Sequence, residues 1–261
     1  MKSIIGYIPA GGKGKRMKPF KLSKELIPVD IPKEDGSHVV LLIENAIQTL
    51  AYGGIKDIIF TVNNEKDALV KCTNNYYVGK MKINSAYVYQ DNKKKEYGLP
   101  YAIAGAAPFL KGRTVFMKFP DTIVYPYDCF KELYKFHMRK ASDLTLGIFP
   151  TDHPERLGPV IVDIEGKVKR IEDKPKNPSI KNTWNIIIWE DNFLNLVIDT
   201  VENARRIGNI DEELILSDIF QRSIQENLRV YGHTFENGFC YDISCIEDVK
   251  YLWNGKENNM P

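Results

Sequence analysis

The stretch Ile4–Val29 limits what this chain can fold into more than any other. Ile4-Ile5-Gly6-Tyr7-Ile8-Pro9 is apolar and short enough to be one buried strand. It runs into Ala10-Gly11-Gly12-Lys13-Gly14-Lys15-Arg16, where three glycines and three cations fill the six positions after Ala10. Glycine at this density lets the backbone take positive φ and approach a ligand closely, so that N–H groups converge on an anion. Lys18, Lys21 and Lys24 extend the positive charge. A strand delivering such a loop at its carboxyl end predicts a polyphosphate site; on the loop alone, a solvated basic turn is the other reading. Two familiar glycine loops are excluded by spacing. A dinucleotide fingerprint needs glycine where Met17 stands, and no Gly-Lys-Ser/Thr follows four spacers as a Walker A loop requires.

Downstream, apolar runs alternate between strand and helix lengths. Asp30–Ser37 reads as a polar surface turn, Val39–Ala51 as a helix stopped by Gly53-Gly54, and Asp57–Val62 as a buried strand. A helix near Asn64–Cys72, a strand at Ser85–Gln90, a small-residue helix at Tyr101–Ala107 and a strand at Thr114–Phe119 follow. This order predicts βαβ units, an α/β fold with a Rossmann-like, mostly parallel or mixed central sheet flanked by helices. Tyr127–Lys140 should be a helix and Asp143–Phe149 a strand. Gly158–Ile164 and Lys167–Ile171 then flank Glu165-Gly166 as a hairpin, a small β subregion. Trp184–Glu190 reads as a strand, Asn192–Ala204 and Glu212–Gln225 as helices, and Leu228–His233 and Phe239–Ser244 as strands.

The 261 residues suit a single domain, residues 1–261, with a nucleotide-binding half over about 1–150 and an acceptor-binding half over about 151–261. A net charge of +2 gives no bulk attraction to nucleic acid or membrane, so cations matter only where they cluster. The four cysteines form no C-x-x-C pair, which argues against a disulfide or zinc framework. Neither a cleavable signal nor an apolar run of membrane-spanning length is visible, so a cytoplasmic location is expected.

The first loop and its surroundings resemble the signature of the sugar-phosphate nucleotidyltransferases, the nucleotide-sugar pyrophosphorylases. Their Ala-Gly-Gly-x-Gly-x-Arg, then Pro, then Lys before Leu-x-Pro is matched by Ala10–Arg16, Pro19, Lys24 and Leu26-Ile27-Pro28. Lys15 replaces the family's usual Thr, and the Pro19-to-Lys24 spacing is about two residues short. The similarity extends to about Trp253 and is nearest to glucose-1-phosphate thymidylyl- and uridylyltransferases of the short form. It implies an enzyme that joins a pyrimidine NTP (UTP or dTTP) to a sugar 1-phosphate with Mg²⁺ as cofactor, releasing pyrophosphate.

The resemblance also implies roles. Catalysis would fall to Arg16, Lys24, Asp121 and Lys174. Ala10, Gly11, Gly12, Gly14, Lys15, Gln90 and Gly98 would bind the nucleotide, Gln90 reading the base with an amide that both donates and accepts. Asp121 and Asp242 would hold the metal, although Pro120 stands where the family has Gly, and Cys240-Tyr241-Asp242-Ile243-Ser244 lacks the family's Trp, Thr and Gly. Gly158, Asp173, Lys174, Trp184 and Asn185 would bind the acceptor; Trp184-Asn185 replaces a small pair that lets glucose near the backbone. The expected partners are an NTP and a phosphorylated small molecule, without nucleic acid or membrane, and homo-oligomerisation stays open. Two other functions remain open: a cytidylyltransferase acting on a phospho-alcohol such as phosphocholine, and a catalytically silent nucleotide-binding homologue.

Overall fold

The computed structural model describes residues 2–17, 23–33, 36–91, 96–208 and 213–253. Pro19, Lys18, Lys21, Glu212 and the side chain of Lys15, all named above, lie outside the described set. In chain order, the strands are β1 (Ser3–Pro9), β2 (Pro28–Lys33), β3 (Gly36–Leu41), β4 (Asp57–Val62), β5 (Tyr77–Val78), β6 (Met81–Lys82), β7 (Asn84–Tyr89), β8 (Arg113–Lys118), β9 (Thr122–Tyr125), β10 (Leu144–Pro150), β11 (Val160–Val162), β12 (Val168–Ile171), β13 (Asn182–Trp189), β14 (Val230–Thr234) and β15 (Phe239–Asp242). The helices are α1 (Leu42–Tyr52), α2 (Asp67–Thr73), α3 (Leu99–Leu110), α4 (Cys129–Lys140), α5 (Asp191–Ile207), α6 (Leu216–Gln225) and α7 (Ile246–Trp253).

Seven strands form the central sheet in the order β14-β10-β13-β8-β1-β4-β7. The neighbours β8, β1, β4 and β7 are parallel, as are β10 and β14; β13 runs antiparallel to both β8 and β10. The expected α/β sheet is therefore present, mixed through its one reversed strand. Its strands are apolar on both faces because helices cover both. One core cluster joins Ile5, Tyr7, Met117 and Trp189 to residues of α3, α5 and α6, and a second joins Ile8, Phe60 and Phe116 to α1 and α4. Among the described residues, no helix is long and apolar enough to cross a membrane.

Two expectations about the chain fail. Asp30–Ser37 is not a free surface turn: β2 and β3 pair there as an antiparallel hairpin, from Pro28↔Leu41 to Lys33↔Gly36. Val29 is buried while Pro28 and Asp30 are exposed, the period-2 alternation of a half-covered strand, which the polar composition of the segment hid. The same pairing takes Val39–Leu41 into β3, so the helix expected from Val39 starts at Leu42.

What matters for function is one edge of the sheet. Four adjacent parallel strands end there, β8 before Phe119–Asp121, β1 before the glycine loop, β4 before Asn63 and β7 before Gln90. Open α/β sheets bind ligands in the crevice outside such carboxyl ends.

Candidate active site

The glycine loop is fastened at both ends. Ala10 is fully buried and donates its backbone N–H to Thr61 O at 2.8 Å, and Asn63 Nδ2 donates to Gly11 O at 2.8 Å. Ala10, expected to bind nucleotide, is thus an anchor with its N–H engaged; the loop's outward groups start at Gly11. A Cβ on Gly11 would lie 2.8 Å from Gln90 Oε1, so glycine here is what brings the loop and Gln90 together. Gly12 faces open space, and Gly14 takes φ +56°, a conformation that favours glycine. Met17 N then donates to Gly14 O at 2.9 Å, and the Met17 side chain packs with Ile27, Val29, Leu42, Ile123 and Ile243. That buried methionine returns the chain to the fold and leaves Lys13 and Arg16 exposed above the crevice.

Lys24 sits in a short 3₁₀ turn, Lys24–Leu26, held from below. Glu25 is 1% exposed and accepts from Lys66 Nζ at 2.7 Å and from the Ser23 hydroxyl; Lys66 also donates to Ser23 Oγ at 2.7 Å. With the turn fixed, the Lys24 ammonium pairs with the Asp121 carboxylate. Burial alone would lower Lys24, but Asp121, assisted by Glu25 and Asp242, outweighs it and raises the ammonium pKa.

Asp121 and Asp242 are brought together by backbone pairing. β15 lies antiparallel to β9 with Asp242 opposite Thr122, and Ile243 N donates to Asp121 O at 3.0 Å. Burial first, and the Asp121 charge second, push the Asp242 carboxyl up to about 6, while Lys24 and Arg16 are close enough to pull against them. Two crowded carboxylates of this kind suit a divalent cation, whose charge relieves both. Among the described residues no group of three or more Asp, Glu, His or Cys forms a metal cluster, so such an ion would complete its shell with phosphate oxygens and water, as Mg²⁺ commonly does.

Gln90 lines a cavity of about 200 Å³ with Thr61, Tyr101, Ala102, Gly105 and Arg205. Gly98 has φ +119°, and a Cβ there would collide with the Leu214 backbone, whose N–H donates to Tyr97 O at 3.0 Å. A close crossing of two chain segments accounts for this glycine.

On the acceptor side, Gly158 lies under the Trp184 indole: a Cβ on Gly158 would overlap the ring. Trp184 also packs against Phe119 and Phe220 at centroid distances of 5.5 and 4.9 Å, and its Nε1 is buried with no hydrogen-bond partner. Lys174 is exposed, has φ +42° and donates its N–H to Leu157 O at 2.8 Å. Asp173 is also exposed, and its charge, after burial, helps to push the Asp218 carboxyl up. Asn185 departs from expectation. It is 4% exposed, and its Oδ1 accepts from Thr122 Oγ1 at 2.9 Å, so it faces the turn that carries Asp121. A bulge explains this: β10 pairs Ile148 with Trp184 and Gly147 with Ile186, so Asn185 is the extra residue of β13 and turns away from the Trp184 side.

Sequence reasoning missed Asn63, the Glu25–Lys66 pair and Lys118. The last was visible as a lone charge inside the apolar run Thr114–Phe119. A larger cavity of about 340 Å³, lined by residues such as Lys2, His137, Asp143, Glu190 and Arg229, lies at the opposite edge of the sheet. Its charged groups answer one another: Lys2 pairs with Glu190, and Arg229 with Asp143.

The Nucleotidyl transferase family profile matches residues 5–249. A mannose-1-phosphate guanyltransferase of Yarrowia lipolytica is 27% identical over 65% of this chain and 44% of its own length, so the match spans less than half of that relative. A glucose-1-phosphate thymidylyltransferase of Mycolicibacterium smegmatis is 26% identical over 80% of this chain and 67% of its own. A solved UDP-glucose pyrophosphorylase with UDP-glucose superposes with a TM-score of 0.76 at 17% identity, covering 97% of this chain and 98% of that one, a likeness of fold. With its glycine loop, Lys24 and paired aspartates at one sheet edge, and the profile matched over nearly its whole length, the chain belongs to the nucleotidyl transferase family.

Proposed function

We propose that the protein transfers a nucleotidyl group from an NTP to a phosphorylated acceptor. The convergence of Lys24, Asp121 and Asp242 on one another beside the Gly11–Gly14 loop carries this proposal. An oxygen of the acceptor phosphate attacks the α-phosphorus, the bond from Pα to the bridging β-oxygen breaks, and pyrophosphate leaves. The acceptor phosphate is already ionised near neutrality, so no protein nucleophile or general base is needed. The difficulty is an anion approaching a polyanion, which calls for placed positive charge and fixed geometry.

Arg16 and the Gly11–Gly14 amides would neutralise the departing pyrophosphate, with Lys15 in support. Lys24 would move between Asp121 and a nucleotide phosphate, and Lys174 would hold the attacking phosphate. Asp121 and Asp242 would hold Mg²⁺, which when bound neutralises charge at the α-phosphate. Gln90, against the loop at Gly11, would read the edge of uracil or thymine, favouring UTP or dTTP.

Trp184 covers Gly158, so the wall that this glycine would leave open carries an indole. Glucose 1-phosphate should therefore be a poor acceptor beside a smaller or modified phosphorylated compound. Steady-state kinetics with glucose 1-phosphate check it: a kcat/KM above about 10⁶ M⁻¹s⁻¹ would show the pocket is unreduced. The broader test is pyrophosphate release from each of the four common NTPs with several phosphorylated acceptors. Turnover with a pyrimidine NTP supports the proposal; preference for GTP or ATP overturns the base, and phosphocholine with CTP overturns the sugar acceptor. No release in any pairing would leave a silent homologue.

A further inference from the structure

Beneath the paired aspartates lies a fully buried lysine. Lys118 ends β8 with 0% exposure, and its Nζ donates to Phe119 O at 3.1 Å, Thr122 O at 2.6 Å and Thr122 Oγ1 at 2.7 Å. An ammonium has three protons, and all three acceptors belong to the turn that carries Asp121. The inward carbonyls of that turn, at Phe119 and Thr122, take their donors from the Lys118 side chain. The Thr122 hydroxyl, accepting from Lys118, donates onward to Asn185 Oδ1 at 2.9 Å. Three elements are thereby joined: β8, the Asp121 turn leading into β9, and β13, the strand that also carries Trp184.

A buried charge is expensive to keep unless every proton is answered and something nearby benefits from it. Burial draws the Lys118 ammonium down to about 8, still protonated at neutral pH. Cys240 and Cys129 lie nearest to it in effect, but burial holds both thiols near 12, so they are neutral; the real counter-charges are Asp121 and Asp242. A hydrophobic residue of similar length would suit an apolar strand core better. What it could not do is grip two carbonyls and a hydroxyl of the same turn.

We propose that Lys118 is a positioning residue: through Phe119 and Thr122, with Asn185 bracing Thr122 from β13, it holds the turn that aims the Asp121 carboxylate beside Asp242. This rests on the assignment of Asp121 and Asp242 as the metal- and phosphate-facing pair. Lys118 touches neither substrate nor ion and acts only by keeping the two carboxylates at a fixed spacing.

Binding of Mn²⁺, followed by the loss of free-ion signal in electron paramagnetic resonance, tests it alongside turnover for Lys118→Met, Thr122→Val and Asp121→Asn. Lys118→Met and Thr122→Val should each weaken Mn²⁺ binding by about 10-fold or more, as loss of an outer-shell partner commonly does. kcat should fall while KM for the acceptor holds. Thr122→Val keeps the carbonyl contact and the shape of the side chain, so it decides the matter if Lys118→Met does not fold. Mn²⁺ affinity within twofold of the parent in folded Thr122→Val, with the metal lost in Asp121→Asn, would overturn the positioning role alone. Unchanged affinity in Asp121→Asn would instead overturn the carboxylate assignment beneath it.

Discussion

Asp121 and Asp242 carry opposing demands. A carboxylate pair placed for a cation is crowded when the cation is absent, and each single-residue change should separate function from stability. Asp121→Asn keeps the shape and the Lys24 contact as a neutral hydrogen bond, so the fold should survive. Losing about 3–4 kcal/mol of transition-state stabilisation would appear as a drop in turnover of roughly 10²–10³-fold, read by initial rates of pyrophosphate release. Asp242→Asn should likewise lose turnover yet gain stability. The Asp242 carboxyl, raised to about 6 by burial and then by Asp121, holds its proton more tightly folded than unfolded. Its unfolded value is near 4, so its contribution to stability falls as pH rises from about 4 through 6 and stays low above that. In a chelator, Asp242→Asn should melt higher than the parent at pH 8 and level with it at pH 4. A parent that melts higher at pH 8 would mean the two carboxylates do not crowd each other.

At the scale of elements, the sequence made legible whatever depends on local pattern. β1 and its glycine loop, β4, β8, α4 and the β11–β12 hairpin around Gly166 follow from apolar runs and turn residues. The β2–β3 hairpin and β9 did not, because segments far away in the chain help to bury them: α7 lies against β2, and α1 and β15 lie against β9. At the site, Lys24, Asp121, Asp242 and Gln90 converge at one sheet edge as their motifs implied, whereas Asn185 had to be seen beside Thr122, and Ala10 beside Thr61, to be understood. Supports of this type are long-range side-chain contacts that spacing cannot reveal. The Glu25–Lys66 pair is one, and it can be tested. Removing one partner of a pair with side chains 1% and 6% exposed leaves a buried charge, so Lys66→Met should destabilise by about 3–5 kcal/mol in denaturant unfolding. Glu25→Leu added to Lys66→Met should restore most of the stability, since an apolar pair replaces an ion pair at similar volume. Turnover should stay low in the double variant, because the turn that presents Lys24 has lost its anchor. Recovery of both together would mean that the pair serves the core and leaves Lys24 where it was.

Across the whole molecule, the two edges of the sheet differ: the candidate site lies at the carboxyl ends of β8, β1, β4 and β7, and a polar network of paired charges lies at the other edge. Glu190, at the end of β13, accepts from Lys2 Nζ at 3.0 Å and Thr114 Oγ1 at 2.6 Å, with His137 Nε2 at 3.4 Å from Oε1. These residues belong to or adjoin β1, β8, β13 and α4, so the network joins both halves of the chain far from Asp121. Burial would raise the Glu190 carboxyl, but hydrogen bonds from His137, Thr114 and Lys2 outweigh it and hold the pKa near 2. A carboxylate depressed in the folded state stabilises above its unfolded pKa of about 4.3, and that stability drains as pH falls from there towards 2. Its side chain is 20% exposed, so screening trims the contribution to on the order of 2 kcal/mol. Glu190→Gln should therefore lower the melting temperature at pH 7 by about 4–8 °C, given the few degrees per kcal/mol of a chain this long. The difference should shrink steadily below pH 4 and be small by pH 2, where the parent's carboxyl is itself about half protonated. Turnover at pH 7, measured well below the transition, should match the parent, since no group of the network reaches the crevice. Melting curves that stay parallel between pH 7 and pH 3 would show that Glu190 acts through packing alone, with its charge contributing nothing to the joining of the sheet.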